Sequence, residues 1–241
     1  MIQYSCPSGT LLIVFVQVKF LGGELNPLAI GPFPSPSPFA RAPLSKEKTK
    51  KTEFVISSTN ISRLNKSHFS ELISIAKNSL GEGYITLSEL MSYLEEDSRV
   101  CLVAKTKGKI SGFQLMKRCN PSDLNVLANS QKIWFRSRYK NYSSFGMLKT
   151  LVVLPENQKQ GIGTMLTKKS IEILQESSKK IISICWENDG VTPVLGLLQR
   201  FGMKQVKRFE LFWAKDSLEK KYRCIICGEP PCKCSAFIYE T

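Results

Sequence analysis

The sequence predicts an α/β fold, a sheet covered by helices, set behind a disordered N-terminal extension. Three observations predict it. From Gly146 onward, apolar runs of strand length alternate with segments of helical period: strand, helix, strand, helix, strand. Ahead of them, two strand-like runs, Val100 to Lys105 and Ile110 to Met116, flank Lys107-Gly108 as in a hairpin. Residues 1–51 carry neither period. There, Gly31-Pro32-Phe33-Pro34-Ser35-Pro36-Ser37-Pro38 excludes a helix or a central strand, and Lys46 to Lys51 reads as a charged linker.

Ordered patterning begins near Thr52. Glu53 to Ser57 reads as a short strand. Phe69, Leu72, Ile73, Ile75 and Ala76 recur at helical spacing, so a helix is expected from about Lys66 to Leu80, broken by Gly81-Glu82-Gly83. Thr86 with Glu89 three residues on has the form of a capping box, and Leu87, Leu90, Met91 and Leu94 mark the helix it opens. The hairpin follows, and then Asn120 to Ser144, where scattered Asn, Ser and Arg give no period. Gly146 to Leu154 is a strongly apolar strand ended by Pro155-Glu156-Asn157. Ile162, Met165, Leu166, Ile171 and Leu174 mark a helix, Ile181 to Trp186 a buried strand, Val194 to Phe201 another helix, and Val206 to Ala214 a further strand.

Composition bounds the function. The 241 residues, 42% hydrophobic and 22% charged, suffice for one substantial core plus a tail. The net charge of +14 is compatible with acidic partners, nucleic acid among them, although lysines more often serve a solvated surface. Leu11 to Leu21, interrupted by Gln17 and Lys19, is too short to span a membrane. Met1 to Thr10 lacks the basic residues of a secretory signal. The low acidic content of residues 1–51 leaves organelle targeting open, while the scarcity of arginine argues against it. Cys101 and Cys185 sit in apolar runs as buried reduced thiols do, which suits an intracellular, cytoplasmic setting.

The chemistry concentrates where the apolar strand runs through Gln158-Lys159-Gln160-Gly161-Ile162-Gly163 into a helix. The first N–H groups of a helix have no internal partners and the helix dipole adds positive potential, so a pyrophosphate fits there. Glycines remove side chains where phosphate must approach the backbone, and Lys159 adds charge. The same pattern also suits an ordinary tight strand-to-helix connection. Leu151-Val152-Val153-Leu154-Pro155, the glycine turn and Leu166 together resemble the acetyl-CoA signature of the GNAT superfamily of N-acetyltransferases. Leu197-Leu198-Gln199-Arg200-Phe201-Gly202-Met203 resembles that family's following helix, with Gly202-Met203 where a Gly-Phe pair is usual. The resemblance covers roughly residues 52–241.

The resemblance implies a GNAT-like mixed twisted sheet and transfer of an acetyl group from acetyl-CoA to an amine. It implies that Gln158, Lys159, Gln160, Gly161, Ile162, Gly163 and Thr164 hold the pyrophosphate. It also implies that the main chain of Leu151, Val152 and Val153 pairs with the pantetheine arm, where two parallel strands splay apart. Glu82 and Tyr84 fall in the segment that often lines the family's acceptor pocket, and Glu82 offers a charge for a cationic amine. Glu187, at the carboxyl end of its strand, is the acid best placed to take the amine's proton; a solvated loop residue is the plainer reading. One departure stands out. Many members place a tyrosine four residues before the Gly-Phe glycine to protonate the leaving thiolate, and this chain has Leu198 there, with Asn188 off the usual asparagine spacing.

Cys224-Ile225-Ile226-Cys227-Gly228 has the shape of a zinc knuckle, and Cys232-Lys233-Cys234 offers a second thiol pair. Four thiolates make a closed tetrahedral structural site; free thiols or a local disulfide are the alternatives. Since the family ends in a strand hairpin, the cysteines of residues 222–235 are expected in its loop, between Phe209 to Ala214 and Ala236 to Tyr239. His68, far off in sequence, reads as a surface or packing residue. Beside the enzyme stands a second expectation, a catalytically weak GNAT-fold module that binds nucleic acid or protein through its basic surface and zinc knuckle.

Overall fold

The computed structural model describes residues 58–126, 129–187, 192 and 194–241. The expected extension 1–51, the strand expected at 53–57 and Asn188 lie outside them. The strands are β1 (Thr59–Arg63), β2 (Arg99–Thr106), β3 (Lys109–Cys119), β4 (Phe145–Val153), β5 (Ile181–Glu187), β6 (Lys204–Phe209) and β7 (Ser235–Glu240). They form one seven-stranded mixed sheet in the order β1-β2-β3-β4-β5-β7-β6. Every neighbouring pair is antiparallel except β4 with β5, which run parallel. The helices are α1 (Phe69–Leu80), α2 (Leu87–Glu95), α3 (Asn129–Tyr139), α4 (Ile162–Gln175), α5 (Leu195–Arg200) and α6 (Ala214–Lys220).

Helices α1 and α4 bury their periodic stripes. α1 inters Phe69, Leu72, Ile75, Ala76 and Leu80, and is preceded by a 3-10 turn, Lys66–His68, capped by Asn65. α4 lies along β2 to β5 and buries Ile162, Leu166, Ile171 and Leu174. It comes so close to the sheet that a Cβ on Gly146 would stand 2.9 Å from Leu174 Cβ. In α2 the Thr86 hydroxyl accepts from Glu89 N at 3.2 Å, but the Glu89 carboxylate meets Lys149 on β4 at 3.3 Å. Leu90 and Tyr93 are buried, whereas Leu87 and Leu94 are exposed.

Two departures from the sequence reading have physical causes. The stretch 120–144 contains α3, whose short aromatic stripe of Trp134, Phe135 and Tyr139 is too sparse against its polar residues to announce a period. That stripe packs on Phe209 and Phe145. The strand expected from Val206 to Ala214 ends at Phe209. Leu211 takes a left-handed conformation, φ 50°, which turns the chain out of the sheet, buries Phe212 and Trp213 and starts α6. An apolar run alone does not distinguish a strand from a turn that plants its aromatics in a core.

Candidate active site

After β4 the chain makes one 3-10 turn, Pro155–Asn157, and then a braced loop. Gln158 Nε2 donates to Val153 O at 2.9 Å and Gln160 Nε2 to Glu156 O at 2.7 Å. Lys159 and Gly161 both have positive φ, 58° and 88°, and at the second of these any Cβ would be strained. Gly161 is the N-cap of α4, and no side chain caps it. The first bond of the helix runs from Met165 N to Gly161 O at 3.0 Å, so the N–H groups of Ile162, Gly163 and Thr164 stand ahead of it at the positive end of the dipole. Gly161, Gly163 and Thr164 line a cleft of about 450 Å³ together with Leu151 and Val153 of β4 and with Val194, Leu197 and Arg200. A Cβ on Gly163 would touch Leu151 and Val153 at 3.7 Å and Leu197 at 3.9 Å. A side chain there is tolerated by the fold but fills the cleft.

The cleft ends at a gap in the sheet. β4 and β5 pair only at Gly146–Ile181, Met147–Ile182 and Leu148–Ser183. Beyond that, β4 stays on β3 through Val153 and β5 stays on β7 through Glu187. The edge of β4 at Leu151, Val152 and Val153 therefore looks across an opening instead of onto β5. An uncapped helix terminus for a pyrophosphate and an open strand edge for an amide-bearing arm are what acetyl-CoA requires, and the residues present fit it.

The other sequence-singled residues fall in different surroundings. Glu187 is buried at the end of β5, 2.9 Å from Arg208 Nη2. Leu198 is fully buried. Glu82 is exposed and accepts from Lys77 Nζ at 2.7 Å, which holds its carboxyl below the ordinary range. Tyr84 is buried edge-on against Tyr222, centroids 5.2 Å apart, and burial pushes its hydroxyl well above the usual tyrosine value.

Cys224, Cys227, Cys232 and Cys234 converge, in the connection from β6 to β7. Their sulfurs all lie within 4.8 Å of one another, with Cys224–Cys234 and Cys227–Cys234 at 3.8 Å and Cys227–Cys232 at 3.5 Å. None is in a disulfide. A reciprocal pair of 2.9 Å backbone bonds between Cys224 and Gly228 closes the first half, and Lys233 N donates to Cys227 Sγ at 3.3 Å.

Four features escaped the sequence reading. Arg200 and Leu197 reach the cleft from α5, Arg208 pairs with Glu187 from a neighbouring strand, and Lys149 is fully buried in β4. The fourth is a small pocket of about 20 Å³ lined by Leu80, Tyr84, Trp186, Trp213 and Tyr222 together with Cys224 and Cys232. The one sequence-level signal among them is a lysine inside an otherwise apolar strand.

The sequence profile of the acetyltransferase (GNAT) family matches residues 69–203. Among solved structures, Arabidopsis thaliana NAA60 in complex with a bisubstrate analogue is similar, with TM-score 0.55, 15% identity and coverage of 76% of this chain and 97% of that one. NAA60 in complex with acetyl-CoA aligns with the same TM-score, 0.55, and 14% identity. Drosophila melanogaster polyamine N acetyltransferase, which forms N acetylagmatine, aligns with TM-score 0.54 and 11% identity over 76% of this chain and 99% of that one. At these identities the likeness is one of fold. No curated protein matches the sequence. Among the described residues, no helix is long and apolar enough to cross a membrane.

Proposed function

The chain belongs to the acetyltransferase (GNAT) family, and from that premise we propose that it carries an acetyl group from acetyl-CoA to a primary amine across the gap between β4 and β5. The observation that carries this reading is the meeting of the left-handed Gly161 turn with the opening beyond Leu148–Ser183. When bound, acetyl-CoA supplies the acyl group as a thioester. The N–H groups of Ile162, Gly163 and Thr164 receive the pyrophosphate, with Gln158, Lys159, Gln160 and Gly161 shaping the loop and Arg200 adding charge from across the cleft. The open edge of Leu151, Val152 and Val153 pairs with the pantetheine arm, and a backbone N–H there polarises the thioester carbonyl.

The amine must attack uncharged. Glu187 takes its proton in this reading, with Arg208 orienting the carboxylate. Glu82 and Tyr84, on the 81–86 turn, belong to the acceptor side, where the exposed Glu82 draws a cationic amine. With Leu198 in the position the family often gives to tyrosine, the proton for the leaving thiolate comes from water or another tyrosine. The four cysteines complete the reading as a closed Zn²⁺ site, every position filled by thiolate and none open to substrate.

Thermal unfolding of the full chain tests the cleft. Acetyl-CoA at about 100 times its Kd adds about 2.7 kcal/mol, on the order of 5–10 °C in Tm for a domain of this size. Gly163→Leu should fold and lose that increment. No rise in the well-folded parent would leave the turn purely structural and return the binding-module reading. For the base, Glu187→Gln should lower turnover about 10²–10⁴-fold; turnover unchanged across pH removes Glu187 from the mechanism.

A further inference from the structure

The cysteine cluster does not stand apart from the rest of the fold. Three contacts join it to the turn between α1 and α2. Arg223 N donates to Glu82 O at 3.1 Å. Gly81, at φ 124°, lies so near the cluster that a Cβ on it would stand 1.9 Å from Arg223 O and 3.4 Å from Ile225 N. Tyr84 packs edge-on to Tyr222. Cys224 and Cys232 line the same small pocket as Trp186, a residue of β5 beyond the last pair with β4. From α6, the Ser217 hydroxyl accepts from Cys232 N at 2.8 Å.

The sulfur geometry suits a tetrahedral metal ion. A tetrahedral ion with metal–sulfur bonds of about 2.3 Å sets its sulfurs about 3.8 Å apart; Cys224–Cys234, Cys227–Cys234 and Cys227–Cys232 stand at 3.8, 3.8 and 3.5 Å, and all four sulfurs lie within 4.8 Å of one another. A disulfide would bring two of them to about 2.05 Å. Four thiolates, one of them accepting the Lys233 N–H, fill every position of a closed tetrahedral site.

We propose that Cys224, Cys227, Cys232 and Cys234 bind one Zn²⁺ that clasps the 81–86 turn against the open half of β5, so that metal occupancy sets the acceptor side of the site and leaves the acetyl-CoA turn unchanged. The ion fixes the backbone of Tyr222–Cys224, and that backbone fixes Gly81, Glu82 and Tyr84. The Gly161 turn is held instead by Gln158 and Gln160, whose bonds do not involve the cluster. That the 81–86 turn faces the acceptor rests on the acetyl-transfer reading above; the clasp itself does not.

Elemental analysis and hydrogen exchange on the full chain, purified under reducing conditions, separate the two. One zinc per chain is expected, and cobalt substitution should give the visible bands of a tetrahedral thiolate. Removing the metal with a chelator should speed amide exchange across residues 81–86 and 222–226 by about tenfold or more. Exchange at 159–165 and across β2 to β4 should not change. Gly81→Ala should keep its zinc yet show the same local rise, because it breaks the contact without touching a ligand. Absence of zinc overturns the metal site. Zinc present at one per chain, with 81–86 unmoved by both chelation and Gly81→Ala, overturns the clasp. A rise spread over the whole sheet on chelation, with no effect of Gly81→Ala, also overturns it, since the ion then supports the fold at large.

Discussion

His68, the chain's single histidine, is buried beneath the start of α1, where its Nδ1 accepts from Asn65 N at 3.3 Å. Burial first, and then the charge of Lys105, hold its pKa below the ordinary 6.5, with Glu71 opposing. The folded state thus prefers the neutral ring, and the unfolded state binds the proton more readily. The stability this supplies is whole above pH 6.5 and is lost as pH falls from 6.5 through the lowered folded value. Denaturant midpoints at about pH 7.5 and about pH 5.5 should fall further in the parent than in His68→Gln; equal falls would show that the ring contributes nothing. At this scale the sequence was most readable where the structure is local. The glycine turn is contiguous, and the demands of a left-handed residue and an uncapped terminus are written in consecutive letters. The partners of Glu187 and Lys149 were hidden, because Arg208 and Glu89 reach them across the fold.

Among the elements, α2 and β4 are tied by a buried ion pair. Lys149 is fully interred, 3.3 Å from Glu89, whose side chain is 18% exposed, and its ammonium lies 5.7 Å from the Tyr93 ring centroid. Burial lowers the Lys149 pKa, and Glu89 resists that shift. Such a pair is costly to break from one side and cheap to replace whole. Glu89→Leu should therefore destabilise by about 3–5 kcal/mol, and adding Lys149→Met should restore most of it. Urea unfolding decides: a double variant as unstable as the single would mean that the pair is not the cause. Helices with a full apolar stripe, α1 and α4, were legible from their period alone. α3 was not, because its stripe is three aromatics that find partners on β4 and β6, and Phe209 shows how such a partner is misread. It is a strand residue whose apolar neighbours Phe212 and Trp213 belong to the turn that follows.

Across the whole molecule, sequence order and sheet order agree up to β5 and then part, because β7 inserts between β5 and β6. Apolar patterning carries no signal for that insertion, since it depends on which edges remain open once the first five strands have paired. The sheet also divides into two leaves, β1 to β4 and β5 with β7 and β6, joined directly by three residue pairs. Each end of that join has its own brace. On one side Arg138 and Tyr139 of α3 bind the Glu240 carboxylate of β7 at 2.7 and 2.9 Å; on the other the cysteine loop holds the turn after α1. Mechanically this is a short spine between two stiff covers. A load that pulls the covers apart concentrates on Gly146–Leu148 and Ile181–Ser183, the six residues at the head of the slot. Any widening of that slot to admit a bulkier passenger must be drawn from the compliance of this spine, and the two braces decide which end of it bends.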